Sequence, residues 1–114
     1  MDSINSISNS LLNAMNIQDM RVKVASTNIA SLNLVDQKGI NFDYKRLLKD
    51  ISAHNLDYNN LDIERYKSNI PKSLIKLDEQ TFEAVTASGR YQGIAEMLNR
   101  NYGLMQLVIQ GKEG

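Results

Sequence analysis

The sequence predicts an all-α chain, an elongated antiparallel hairpin of long N- and C-terminal helices joined by an irregular polar middle segment. Apolar residues recur at helical spacing over the first and last thirds of the 114 residues, the 42% hydrophobic content includes only 6% aromatics, and the single proline, Pro71, falls between the periodic stretches. A chain this short makes one structural unit, built from both termini. The expected organisation is an N-terminal helix within residues 1–35, a middle arm at 36–76 with a short helix near 42–52, and a C-terminal helix within 77–114.

The first helix is expected over residues 3–34. Ile4, Ile7, Leu11, Met15, Val22, Ala25, Ile29 and Leu32 follow one another at steps of three, four or seven, which holds one face for about eight turns. The rest of its composition works against it. Residues 1–33 include six Ser and six Asn, whose side chains compete for backbone hydrogen bonds. Such a helix needs a partner to form.

The middle arm has eight Lys/Arg against six Asp/Glu and no sustained period. Phe42, Leu47, Leu48 and Ile51 suit the short helix. Beyond it, residues 54–76 read as irregular with room for a short strand or hairpin, since Pro71 holds Ile70 extended.

The last helix is expected over residues 79–111. Ala84, Tyr91, Leu98 and Met105 form one row, with Ala95, Tyr102 and Ile109 beside it. Asp78 is the expected N-cap, Glu79 and Glu83 suit the positive end of the helix dipole, and Gly111 and Gly114 close the run. Gly89, Gly93 and Gly103 each cost about 1 kcal/mol against alanine in a helix interior. The Gly89/Gly93 spacing either admits a second backbone or marks a loosely packed face. A helix of ~32 residues is ~48 Å long and exceeds a compact globule with a radius of gyration of roughly 13 Å. Antiparallel pairing would bring Leu32 toward Phe82–Val85, Val22 toward residues 91–95 and Ile4 toward Ile109, leaving apolar surface for self-assembly.

Composition narrows the chemistry. Thirteen basic and thirteen acidic residues cancel, so no charge excess favours nucleic acid. Cysteine is absent and His54 is the only histidine, which argues against a transition-metal site. No window holds the ~18 apolar residues of a bilayer span, and a classical cleavable signal peptide is not expected. Asp43, Asp50 and Asp57 repeat every seven residues, which on a helix separates them by about 10.5 Å and reads as a solvated face, with Arg46 and Lys49 making surface pairs. Ser88 lacks a nucleophile elbow, no phosphate-binding loop occurs, and Tyr91, Met97, Tyr102 and Met105 read as packing. No catalytic, cofactor or metal residue is assigned, and the chain is not expected to be an enzyme.

At residues 25–33 the chain reads Ala-Ser-Thr-Asn-Ile-Ala-Ser-Leu-Asn, and Phe42-Asp43 follows. Near the other end stand Leu77-Asp78, Arg90-Tyr91-Gln92, Leu98-Asn99-Arg100 and Ile109-Gln110-Gly111. These resemble the N-terminal signature and C-terminal helix of bacterial flagellar basal-body rod and hook proteins, most closely the short proximal-rod members. Asn28, Ile29, Ala30 and Asn33 match the signature. Leu34-Val35-Asp36-Gln37 replaces the family's Thr-Pro-Gly-Tyr, and Gly89 stands where a leucine is common.

The resemblance implies a structural rod subunit, exported unfolded through the flagellar type III apparatus without signal cleavage and assembled in the periplasmic part of the basal body. Its partners would be copies of itself, other rod proteins, and membrane-ring or export-gate components. The assembly interface is expected at Leu11, Met15, Val22, Ala25, Asn28, Ile29, Ala30, Leu32 and Asn33 on the first helix. On the last helix it is expected at Phe82, Val85, Tyr91, Gln92, Ala95, Leu98, Tyr102, Met105 and Ile109. Competing readings are the inner rod of a virulence-type secretion needle and a cytosolic helical-hairpin adaptor or export chaperone.

Overall fold

The computed structural model describes residues 2–54 and 57–113, with side chains over 6–54 and 57–111. The Ile4 side chain and Gly114, both invoked by the sequence pattern, lie outside the described residues. The chain is mostly helical, with two long terminal helices and one small two-stranded sheet. Helix α1 spans Asp2–Ser31, strand β1 Gly39–Phe42, helix α2 Tyr44–His54, strand β2 Lys67–Ile70 and helix α3 Leu77–Glu113. Single 3₁₀ turns at Tyr58–Asn60, Ile63–Tyr66 and Lys72–Leu74 fill the connections. The molecule measures 64 × 28 × 17 Å with a radius of gyration of 17.7 Å, elongated along its terminal helices.

Helix α1 stops three residues short of the expected end. The Ser31 hydroxyl donates to the Asn28 carbonyl (2.7 Å). The N–H groups of Leu32, Asn33 and Leu34 then bond three residues back, to the carbonyls of Ile29, Ala30 and Ser31. This tightened turn releases the chain into a loop in which Val35 is 93% exposed. Helix α3 begins at Leu77, so Asp78 lies inside the first turn instead of capping it, and the Gln80 N–H bonds the Lys76 carbonyl (3.0 Å). Gly111 is helical, and the helix runs on to Glu113.

The partner that the Ser/Asn-rich first helix requires comes from its own chain. Asn28 meets Gln80, Arg21 meets Glu83, and Ser8 meets Asn101, so later residues of α1 contact earlier residues of α3. This register differs from the expected one. Val22 was expected near residues 91–95, yet its neighbour Arg21 reaches Glu83. Phe82 and Val85, expected against Leu32, are 72% and 68% exposed. Polar pairs set the register where the sequence reading had matched apolar rows.

The middle segment holds the short helix expected near 42–52, as α2, and a short strand within 54–76, as β2, but it packs as core where an irregular polar arm was expected. Strands β1 and β2 pair antiparallel, Gly39 opposite Ile70 and Phe42 opposite Lys67. Asp43 caps α2, its carboxylate accepting the Arg46 N–H (3.0 Å) and its carbonyl the Leu47 N–H (3.2 Å). Phe42, Leu47 and Tyr66 join Ile17 of α1 in one buried cluster, with Met20, Val24, Tyr44, Ile51 and Leu61 packed around it. Three of the four buried members therefore come from the middle. Gly39 is required there, because a Cβ at this position would overlap the Ile75 side chain.

The carboxylates spaced by seven are not one solvated face. Asp43 is the cap just described, and Asp50 accepts the Tyr66 hydroxyl (2.7 Å). Arg46 lies 5.0 Å from the Tyr66 ring centroid, a cation–π contact in place of the expected surface ion pair.

Candidate assembly surfaces

The two long helices present an inner seam and outer faces, and the expected interface residues divide between them. On α1, Ala25 and Asn28 are buried, Leu11, Met15, Val22 and Ile29 are half-buried and Ala30 is exposed; in the turn just after it Leu32 is half-buried and Asn33 exposed. On α3, Leu98 is buried and Ala95 and Met105 are half-buried, whereas Phe82, Val85, Tyr91, Gln92, Tyr102 and Ile109 are exposed. The seam of α3 instead buries Ala87, Leu98 and Asn101. The apolar rows Ala84–Tyr91–Leu98–Met105 and Ala95–Tyr102–Ile109 are thus only partly inward.

Several inward residues are polar, and each has its reason in a hydrogen bond. Asn28, 2% exposed, donates through Nδ2 to the Ile40 carbonyl (3.0 Å) and to Gln80 Oε1 (3.2 Å), while its Oδ1 accepts the Ile40 N–H (2.7 Å). The amide thereby pairs with the outer edge of β1 as a neighbouring strand would, and ties both α3 and the sheet to α1. Asn13 does the same for the arm, its Oδ1 accepting the Tyr58 N–H (2.9 Å). Asn101 donates to the Ser8 hydroxyl (2.5 Å) at the far end of the seam. A buried polar pair of this kind is strongly favoured in one register, because slipping it strands a donor.

At the junction of α1, α3 and the sheet, Arg21 is the organising charge. Its guanidinium pairs with Glu83 (2.9 Å) and lies 3.9 Å from the Tyr44 ring centroid. Burial pushes the Tyr44 phenol up to about 12, against the opposing pull of Arg21. The Asp50 hydrogen bond, with burial behind it, raises Tyr66, and burial raises Tyr58. A cleft of about 320 Å³ opens beside Arg21, lined by Asn28, Tyr44, Gln80 and Glu83 among others. Its polar groups are engaged mainly with one another, so the geometry is that of a structural junction. Among the described residues no three His, Cys, Asp or Glu side chains are grouped to hold a metal ion.

The outer face of α3 is apolar over much of its length. Met97, Leu104 and Leu107 are 53%, 55% and 64% exposed, continuing from Phe82 and Val85. Gly89, Gly93, Gly103 and Gly111 have no neighbouring atom within 4 Å of an added Cβ. Of the two readings of the Gly89/Gly93 spacing, close approach of a second backbone is not met inside this chain. No described helix is long and apolar enough to cross a membrane. Comparison with known protein families, curated proteins and solved structures finds no match to this chain.

Proposed function

We propose that this chain is a structural subunit of the bacterial flagellar basal-body proximal rod, with no enzymatic activity, exported by the type III route and assembled through its terminal helices. In this reading α1 and α3 act as an elongated antiparallel hairpin that stacks against other copies and other rod proteins, next to the membrane ring or export gate.

One observation carries the reading. The rod-like motifs at residues 25–33, all but the last two residues of that motif, and at 90–111 lie on two long helices packed together in a 64 Å body that leaves apolar side chains exposed along α3. Exposed apolar surface of that extent is the physical requirement for a subunit whose final environment is other helices. Asn28, a match to the rod signature, supports it further by joining both helices to the sheet. The test is isolation of basal bodies from cells carrying a tagged chain. The proposal expects the tag in the rod fraction and loss of motility on deletion. A tag confined to soluble complexes with one exported client, in cells whose motility survives deletion, would establish the adaptor reading instead.

A further inference from the structure

Seven residues carry an α-helix through about 20° less than two turns, so α3 presents nearly the same face to α1 after sliding one heptad, about 10.5 Å. In the observed register Gln80, Glu83, Ala87, Leu98 and Asn101 of α3 meet α1 or lie buried in the seam. A slide of seven toward the loop that follows α1 brings Ala87, Arg90, Ile94, Met105 and Val108 to those same places. Four of the five newcomers are apolar. Val22 then lies opposite residue 93 and Leu32 opposite residue 83, which is the pairing that the apolar spacing predicts.

The fifth newcomer decides against the slide. Arg90 would replace Glu83 beside Arg21, so an ion pair of 2.9 Å becomes two guanidinium groups at close range. Arg21 has little freedom to swing away, because its guanidinium is 3.9 Å from the Tyr44 ring centroid and its side chain is only 22% exposed. From this we infer that Arg21 is a register lock. It holds α3 in one of two heptad-related registers by attracting Glu83 and repelling Arg90, and α3 ratchets about 10.5 Å along α1 when that charge pattern is moved by seven residues.

The rest of the molecule permits the slide. Asn28 keeps both bonds to Ile40, since neither residue is on α3. Ile75 stays against Gly39 when residues 77–83 unwind into a loop, with Ala84 arriving where Leu77 stood. Five of those seven residues are exposed, so little packing is lost. The slide gives up the Asn28 bond to Gln80 and the Asn101 bond to Ser8, whose hydroxyl can turn back to its own helix. The lock lies within a single chain, and the inference goes beyond the rod proposal without resting on it.

The test moves the charges and reads the register by pulsed electron paramagnetic resonance on the full-length chain, which has no native cysteine. Spin labels on Ser26→Cys and Gln106→Cys, both at exposed positions, lie about 35 Å apart along the helix axis in the observed register and about 25 Å apart after the slide. The parent chain should give the longer distance alone. Exchanging the two charges, Glu83→Arg with Arg90→Glu, keeps the net charge and should move a major population shorter by about 10 Å. Exchanging Glu96→Arg with Arg100→Glu, exposed charges on the same helix, should leave the longer distance in place. A parent chain already divided between the two distances, or a folded Glu83→Arg/Arg90→Glu chain that keeps only the longer one, would overturn the inference. So would unfolding of that chain by circular dichroism, since it would then have no second register to take, or an equal shift in the Glu96→Arg/Arg100→Glu chain. Isolation of basal bodies tests the rod proposal separately.

Discussion

Replacing Asn28 by alanine should destabilise the fold more than any surface change of similar size. The substitution removes both bonds to Ile40 and the bond to Gln80. Gln80 is half-buried and can turn to water, but the Ile40 N–H and C=O both face α1 and bond Asn28. Each backbone group left unsatisfied costs about 1–3 kcal/mol, and Ile40 is itself half-buried, so a total of about 3 kcal/mol is expected. That is a large part of the ~5–15 kcal/mol that holds a small domain together. With a urea slope of roughly 1–3 kcal/mol per molar, the unfolding midpoint should fall by about 1–3 M. Amide exchange at Ile40 should accelerate more than exchange in the centre of α3. Asn28→Asp supplies a sharper form of the experiment. A carboxylate keeps the acceptor for the Ile40 N–H but cannot donate to its carbonyl, whereas the protonated acid can do both. The buried acid therefore has a raised folded pKa, and its contribution is present at low pH and lost as pH rises through that value. Measured against the parent chain at each pH, Asn28→Asp should be less damaging near pH 4 than near pH 7. A midpoint change under 0.3 M for Asn28→Ala, or a loss that leaves Ile40 exchange untouched, would refute the bridging role; these limits are on the order of experimental error in such slopes.

Three further outcomes follow from the same packing. Tyr44 has its folded pKa raised from 10.0 to about 12, so stability it contributes is intact below pH 10 and lost as pH climbs through the folded value; urea midpoints at pH 9 and pH 11 should diverge less in Tyr44→Phe than in the parent. Gly39→Ala should lose about 1–3 kcal/mol because the new methyl overlaps Ile75, and Ile75→Val, which removes the closest atom, should restore part of that; strictly additive thermal shifts would exclude the contact. Leu98→Asp, in the seam, should abolish the folded circular dichroism spectrum, whereas Phe82→Asp, on the outer stripe, should keep it and lose only assembly; equal melting of the two would contradict the division into inner and outer faces.

The terminal helices were legible because apolar spacing over thirty residues or more survives many polar interruptions. Their register was not, because the groups that set it are polar. Asn28, Ser31, Ser8 and Asn101 are among the most buried residues of the chain, yet in a sequence they look like any solvated Asn or Ser. Only their hydrogen-bond partners distinguish them, and those lie on other elements. The middle core was hidden for a different reason. Phe42, Leu47 and Tyr66 come together with Ile17 only after β1 pairs with β2, and four-residue strands are too short for alternation to stand out. Gly39 offered no cue either, since its need for close approach depends on Ile75 far along the chain.

The candidate surface was half legible. Helix α3 carries apolar residues around most of its circumference, which is the pattern of a helix covered on several sides. The sequence reading assigned Phe82, Val85, Tyr91, Tyr102 and Ile109 to an assembly interface with copies of the chain and other rod proteins, without separating inner from outer positions. In the folded chain α1 is too narrow to cover more than the Ala87–Leu98–Asn101 face, and the remaining apolar side chains stay in water. Leaving them there gains nothing from burial, at roughly 25 cal/mol for every Å² that a partner would cover. Nor does local propensity explain them, since Gly89 and Gly93, on the face of Phe82, Met97, Leu104 and Leu107, weaken the helix that presents them. A face that is apolar, uncovered and locally destabilising is accounted for by contacts outside the single chain, and the inner seam, with its polar pairs already satisfied, is the rigid support that holds that face in place.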